Sequence, residues 1–208
     1  MAESLAEWMR TKGQRRSVRA GVTLAYRGSQ ADSVLLVEQG SVLLERHEAS
    51  GHLLPISVCG RGAVVGLSAA ILNGPYDLNA TSRVDGEVVV VAAASVRALT
   101  SSPEHAPLVA RALATEARRL ADRCAALQSQ SVRDRVLAVL SQLSEGAASY
   151  PTTLALPMQE LAVMVGADLA HVCRIMRRLR QDGAVDYGKR RLAIRVPIAR
   201  PADPDHFC

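Results

Sequence analysis

The residues best equipped for chemistry lie in one stretch, MQELAVMVGADLAHVCRIMRRLR, at positions 158–180. Its arginines recur at helical spacing. A guanidinium held on one helix face suits a bidentate contact with guanine O6 and N7 in a DNA major groove. Read as a helix, the second half turns Val172, Ile175, Met176 and Leu179 inward. That leaves Leu169, Ala170, His171, Arg174, Arg177 and Arg178 facing outward. Arg174 stands about two turns into the helix and is the candidate base reader. Arg177 and Arg178 are placed for phosphates, and Leu169 or Ala170 for a thymine methyl.

Such a face must be held by a second helix crossing the first. Ala162 is the small residue at the crossing, Gly166 is the permissive residue in the turn, and Leu161 and Val165 share the interior. Gly166 is expected to end the first helix in the left-handed conformation, and Asp168 to cap the second. After the helix, Gly188 with Lys189, Arg190 and Arg191 reads as the turn of a wing that touches the DNA backbone. Between Asp168 and Arg195 there are eight cations against three anions, Asp168, Asp182 and Asp186. The blander alternative is a solvated basic face on an ordinary helical hairpin.

Upstream, APLVARALATEARRLADRCAALQSQ contains no glycine and predicts a long helix that starts near Ser102-Pro103-Glu104. Along it Leu113, Leu120 and Leu127 alternate with Ala110, Ala117 and Cys124, the 3-4 spacing of a two-stranded seam. An amphipathic helix lying on its own domain would show the same periodicity. In a parallel pair Cys124 would meet its twin, so oxidation could lock the two helices; a small residue chosen for size is the plainer reading. Ser131 to Asp134 resembles a capping box opening a helix over Arg135 to Leu143, and residues Tyr150 to Pro157 read as a loop or short strand.

The first half is punctuated by glycines, with β-rich runs between them: Val22–Tyr26, Val34–Val37, Val42–Glu45, Leu53–Val58, Ala80–Val84 and Glu87–Val91. Short strands at this spacing predict a sandwich or roll, with a hairpin turn at Ser50-Gly51.

Composition removes several classes. The 208 residues include 49% apolar positions, enough for a core, and carry 25 Lys+Arg against 20 Asp+Glu, a formal net charge of +5. Of those cations only Lys12 and Lys189 are lysine. Aromatics are 3% of the chain, too few for the stacking platforms of a single-strand or RNA reader. The longest apolar run, Val88 to Ala94, is too short to span a bilayer, and no secretory signal opens the chain. Cysteines 59, 124, 173 and 208 form no CxxC pair, so the expectation is a cytoplasmic protein with no membrane partner. His47, His52 and His105 form no recognisable ligand set, and no HxH, HExxH, GxSxG or phosphate-loop pattern occurs. Neither a metal, a cofactor nor a catalytic role is expected.

Taken in order, YRGSQADSVLLVEQGSVLLE, GRGAVVGLSA, ARRLADRC and the 158–180 motif resemble the cyclic-AMP receptor protein/FNR superfamily of bacterial transcription regulators, from about Gly21 to Val196. The resemblance implies an α+β protein in three parts: a cyclic-nucleotide-binding-like β-roll (jelly roll) over 1–102, a dimerisation helix over 103–130, and a winged helix-turn-helix over 131–208. It implies a homodimer on a palindromic double-stranded operator, with RNA polymerase as a further partner and Gln159 at a phosphate. It also puts an effector pocket at Gly66, Leu67, Ser68, Leu78 and Asn79, closed by Arg123 and Cys124 of the long helix. Members that bind cyclic AMP carry Gly-Glu where this chain has Gly66-Leu67, and Arg-Ser where it has Leu78-Asn79 or Asp77-Leu78. Without that acid and cation, cyclic AMP in the usual mode is not expected. Where many members place Arg-Glu near the start of the recognition helix, this chain has Leu169-Ala170. The competing class is a small-ligand-binding or scaffold protein whose helix-turn-helix is only structural.

Overall fold

The computed structural model describes residues 4–47, 53–144, 150–154, 156–188 and 191–198. The first helix, α1 (Leu5–Lys12), leads into strands β1 (Gln14–Val18), β2 (Thr23–Ala25), β3 (Ser33–Gln39), β4 (Val42–His47), β5 (Leu53–Cys59) and β6 (Val64–Val65). Then come α2 (Leu67–Ile71), β7 (Asn79–Ser82), β8 (Gly86–Ala92) and α3 (Ala93–Thr100). The long helix α4 (Ala106–Ser129) connects to α5 (Val132–Ser144), β9 (Thr152–Leu154), α6 (Met158–Val165), α7 (Leu169–Gln181), β10 (Val185–Tyr187) and β11 (Leu192–Ile194).

Two four-stranded antiparallel sheets, β1-β8-β3-β6 and β2-β7-β4-β5, form the roll. The apolar run of β3 explains their stacking, because successive side chains point to opposite faces. Leu35 and Val37 enter the space between the sheets with Ala25, Val42, Val65, Tyr76 and Ala80. Val34 and Leu36 point the other way, into a layer with Val89 and Val91 that α1, α3 and the start of α4 cover through Met9, Val96 and Val109. Strand β4 repeats the alternation in the second sheet. Val42 faces the roll interior, while Leu43 points out and joins a third core with Val136, Leu140, Leu161 and Met176. The outer face of the second sheet is therefore covered by the C-terminal helices.

Each anticipated strand run coincides with a strand, but five elements were not anticipated. β1, QRRSV, is almost entirely exposed and has no apolar alternation; its pairing with β8 alone makes it a strand. α1, β6, α2 and α3 are eight residues or fewer, and tertiary packing decides them. The run Val88–Ala94 divides, with β8 ending at Ala92 and α3 starting at Ala93. The long helix starts at Ala106, later than the Ser102-Pro103-Glu104 signal, and the Ala106 N–H reaches back to the Ser102 carbonyl at 2.8 Å. Ser131 Oγ accepts the Asp134 N–H at 3.2 Å and donates to the Asp134 carboxylate at 2.6 Å, so half of a capping box is present. The Ser50-Gly51 turn lies outside the described residues.

Candidate nucleic-acid interface

The helix-turn-helix is built by caps at its centre. Gly166 adopts φ 66° and ψ 46°, the left-handed region that suits glycine, and ends α6. Its N–H donates to Val163 at 3.0 Å, and that of Ala167 donates to Ala162 at 3.1 Å. One residue on, the Asp168 carboxylate accepts the His171 N–H at 2.8 Å and starts α7. Ala162 is buried at the crossing, and Val172, Ile175, Met176 and Leu179 are buried beneath α7.

Those four anchors set the helix's rotation, and with it the residues presented to solvent. Leu169, Ala170, Arg174, Arg177 and Arg178 are exposed, and His171 is half-buried. No acid occurs within α7, and none of the three arginines is ion-paired among the described residues, so their charge is fully presented. Asp168 is exposed at the helix start, and Gln159 is exposed in the first turn of α6. β10 and β11 pair antiparallel, Tyr187 against Leu192, and the Gly188 N–H donates to the Arg191 carbonyl at 2.8 Å. A hairpin therefore stands where the wing was expected; Lys189 and Arg190 lie outside the described residues.

Several residues that position this surface were not singled out from the sequence. The Arg180 guanidinium lies 4.8 Å from the centroid of the Tyr187 ring, tying the end of α7 to the hairpin. Arg135 of α5 donates to the carbonyls of Leu127, Gln130, Val165 and Gly166, which fastens the end of α4 to the helix-turn-helix corner. Cations at two helix C-termini also oppose the negative ends of their dipoles. Arg83, between β7 and β8, bridges Glu45 of β4 at 3.2 Å and Glu160 of α6 at 2.9 Å. Glu45 further accepts the Thr81 hydroxyl at 2.8 Å. Only Arg135 had a local signal, an arginine just inside a capped helix start. The members of the Arg83 cluster are 38 and 77 residues apart, so no sequence pattern announces them.

The residues expected around an effector lie in differing surroundings. Leu67 is buried in the core beside α3, and Ser68 is exposed. At Gly66, φ 83°, the Tyr76 ring lies so close that an added Cβ would sit 2.8 Å from its Cε1. Tyr76 donates its hydroxyl to the Ser33 carbonyl at 2.6 Å. Leu78 is half-buried, and Asn79 Oδ1 is occupied by the Arg27 N–H at 2.8 Å. Arg123 instead lines a separate cavity with Leu120 and Leu127, which Gly66, Ser68, Leu78 and Asn79 do not touch. Cys124 is exposed on α4.

Along the expected seam, Ala110, Ala117, Leu120, Cys124 and Leu127 are exposed in the single chain, Leu120 at 52%. Leu113 is half-buried against its own roll. Among the described residues no group of three or more His, Cys, Asp or Glu is placed to hold a metal, and His105 bonds the Ser102 hydroxyl at 3.0 Å. No described helix is long and apolar enough to cross a membrane.

Residues 15–102 match the cyclic nucleotide-binding domain family, and residues 134–197 match the Crp-like helix-turn-helix domain family. No curated protein matches the sequence. Among solved structures, FixK2 from Bradyrhizobium japonicum is 22% identical, with a TM-score of 0.65 over 89% of this chain and 93% of that one. A CRP-family transcriptional regulator from Thermus thermophilus is 20% identical, with a TM-score of 0.65 over 87% and 92%. The c-di-GMP-responsive global regulator CLP from Xanthomonas campestris is 22% identical, with a TM-score of 0.62 over 91% and 96%.

Proposed function

The chain belongs to the Crp/Fnr superfamily of DNA-binding transcription regulators, and from that premise we propose that it works as a cytoplasmic homodimer on a palindromic double-stranded operator. The observation that carries this reading is the outer face of α7, where Arg174, Arg177 and Arg178 stand exposed with no acid on the same helix. Arg174 reads a guanine edge; Arg177, Arg178, Gln159 and the hairpin residues Lys189 and Arg190 contact phosphates. Leu169 and Ala170, with His171 beside them, occupy the groove at the helix start, where apolar contact favours a thymine methyl. Asp168 is engaged as the N-cap, and its role is to set the angle of α7 rather than to contact a base.

The dimer forms along α4. Exposed Ala110, Ala117 and Cys124 would let two copies approach closely, with Leu113, Leu120 and Leu127 as the larger knobs. Pairing there sets the two recognition helices at the one-turn spacing a palindrome demands. We assign 1–102 to sensing, 103–130 to dimerisation and 131–208 to DNA, with RNA polymerase as the further partner of the bound dimer. The effector is not cyclic AMP in its usual mode. Leu67 supplies no carboxylate and Leu78-Asn79 no cation, and Asn79 is already engaged by the backbone.

The test is recovery of bound fragments from a genomic DNA library, with and without cyclic AMP. A palindromic motif recovered without effector is the expected result. Dependence on cyclic AMP would overturn the reading of Leu67 and Leu78. Enrichment of no motif, together with affinity that is flat against salt, would favour a ligand-binding or scaffold protein, because phosphate contacts demand a steep salt slope.

A further inference from the structure

Arg135 stands in the first turn of α5, beside the positive end of that helix's dipole, where a cation is unfavourable. Two other helix ends explain its place. A helix leaves its last carbonyls without intrahelical partners. At the end of α6, the Gly166 and Ala167 N–H groups donate to the carbonyls of Val163 and Ala162. Arginines donate to the next three carbonyls. Arg123 of α4 reaches Met164 at 3.4 Å, and Arg135 reaches Val165 at 2.8 Å and Gly166 at 3.2 Å. At the end of α4, Arg135 also donates to Gln130 at 2.8 Å and to Leu127 at 3.3 Å.

The guanidinium divides its donors by edge. Nε and Nη2 serve the helix-turn-helix corner, and Nη1 serves the end of α4. Because the group is a rigid plane, the two sets of carbonyls are held at a fixed angle to each other. A flexible point charge such as an ammonium cannot enforce that angle. The corner so held is where α6 ends and α7 begins, so the direction of the arginine face follows from the direction of α4.

We propose that Arg135 is a positioning residue: its fork transmits the direction of the paired α4 helices to the two reading heads, and so fixes the half-site spacing that one dimer accepts. The inference rests on the dimeric DNA-binding reading above. Two heads on one dimer hold a palindrome more tightly than a single half-site because the second contact is intramolecular. That gain requires the heads to be held at the matching separation.

Arg135→Lys separates the fork from the charge, since it keeps a cation opposite both dipoles and loses the plane. Full-length wild type and variant each select fragments from a random-sequence duplex library. Both are then titrated with the wild-type palindrome, with the same duplex after one half-site is scrambled, and with palindromes whose spacer is one base pair longer or shorter. Melting temperature and sedimentation are measured alongside. The wild type is expected to reject altered spacers by about tenfold or more, and Arg135→Lys to lose about tenfold on the palindrome but no more than about twofold on the single half-site. Its spacer discrimination should shrink, while base preferences within each half-site and the dimer mass are unchanged. Full spacer discrimination in Arg135→Lys overturns the inference, because charge at the helix ends then suffices. Equal losses on palindrome and half-site also overturn it, because they report damage to the head rather than a change in its direction. A wild type indifferent to spacer length overturns it without any variant, which keeps the test decisive if the variant fails to fold. A wild type that selects no motif instead removes the DNA-binding reading, and this inference with it, before any variant is made.

Discussion

Replacing Arg83 with methionine tests whether the DNA-binding head is clamped to the roll as drawn. The Arg83 side chain is 12% exposed, and its partners Glu45 and Glu160 are 8% and 20% exposed, so neither acid can simply turn to solvent. Removing one partner of a buried ion pair costs about 3–5 kcal/mol. Glu45 keeps the Thr81 hydroxyl, which places the expected loss near the lower end, about 3 kcal/mol. For a chain of this size each kcal/mol lowers the melting temperature by about 2–4 °C, so Arg83→Met should melt about 6–12 °C lower. Glu160→Gln keeps an acceptor and loses only the charge assistance, about 1 kcal/mol. Because both changes act on one contact, their effects should be non-additive by about 1 kcal/mol in a double-mutant cycle. Thermal melts of the four proteins, with hydrogen exchange followed across α6, measure both quantities. A drop below about 2 °C for Arg83→Met, or strictly additive losses, would refute the clamp.

Further outcomes are expected for five substitutions. Arg174→Ala should relax specificity at one base pair of each half-site at a cost of about 1–3 kcal/mol per site; Arg177→Ala should weaken all sequences alike and reduce the salt slope by about 0.9 per lost phosphate contact, both read by titrations at several salt concentrations. Ala117→Glu sets a carboxylate against its twin on the α4 seam and should shift the chain toward monomer in sedimentation velocity, with lower operator affinity. Gly166→Ala forces a β-carbon at φ 66° and within 2.8 Å of Leu127 Cδ2; the left-handed conformation alone costs about 1–2 kcal/mol, seen as a lower melting temperature. Cys59, whose folded thiol pKa is about 12 against an ordinary 9.0, should stabilise the fold fully below pH 9 and lose that contribution as pH rises toward 12. Cys59→Ala should flatten that alkaline decline in urea midpoints.

The second helix of the helix-turn-helix was legible because its information is local. The spacing of Val172, Ile175, Met176 and Leu179 fixes which way α7 rolls, and the caps at Gly166 and Asp168 fix where it begins. The strands of the roll were legible for a related reason: continuous runs such as Val34–Val37 must be buried on both faces. Strand β1 was not legible, because a polar segment becomes a strand only when a partner satisfies its backbone. Nor were the contacts around the expected effector residues legible, because the Tyr76 ring against Gly66 and the Arg27 backbone N–H on Asn79 join residues distant in the chain.

What the sequence by itself determined was the order of the parts, the register of the reading helix and its arginine face, each set by periodicity and capping within about twenty residues. Tertiary structure alone decided the junction. Leu43 and Val58 of the roll enter the core of the DNA-binding head, and Arg83 joins Glu45 to Glu160. Arg61, Arg119 and Arg123 meet around one cavity. These contacts join residues tens of positions apart, and no spacing along the chain encodes them. They exist because the outer face of the second sheet was apolar enough to need a cover, and the C-terminal helices provide it.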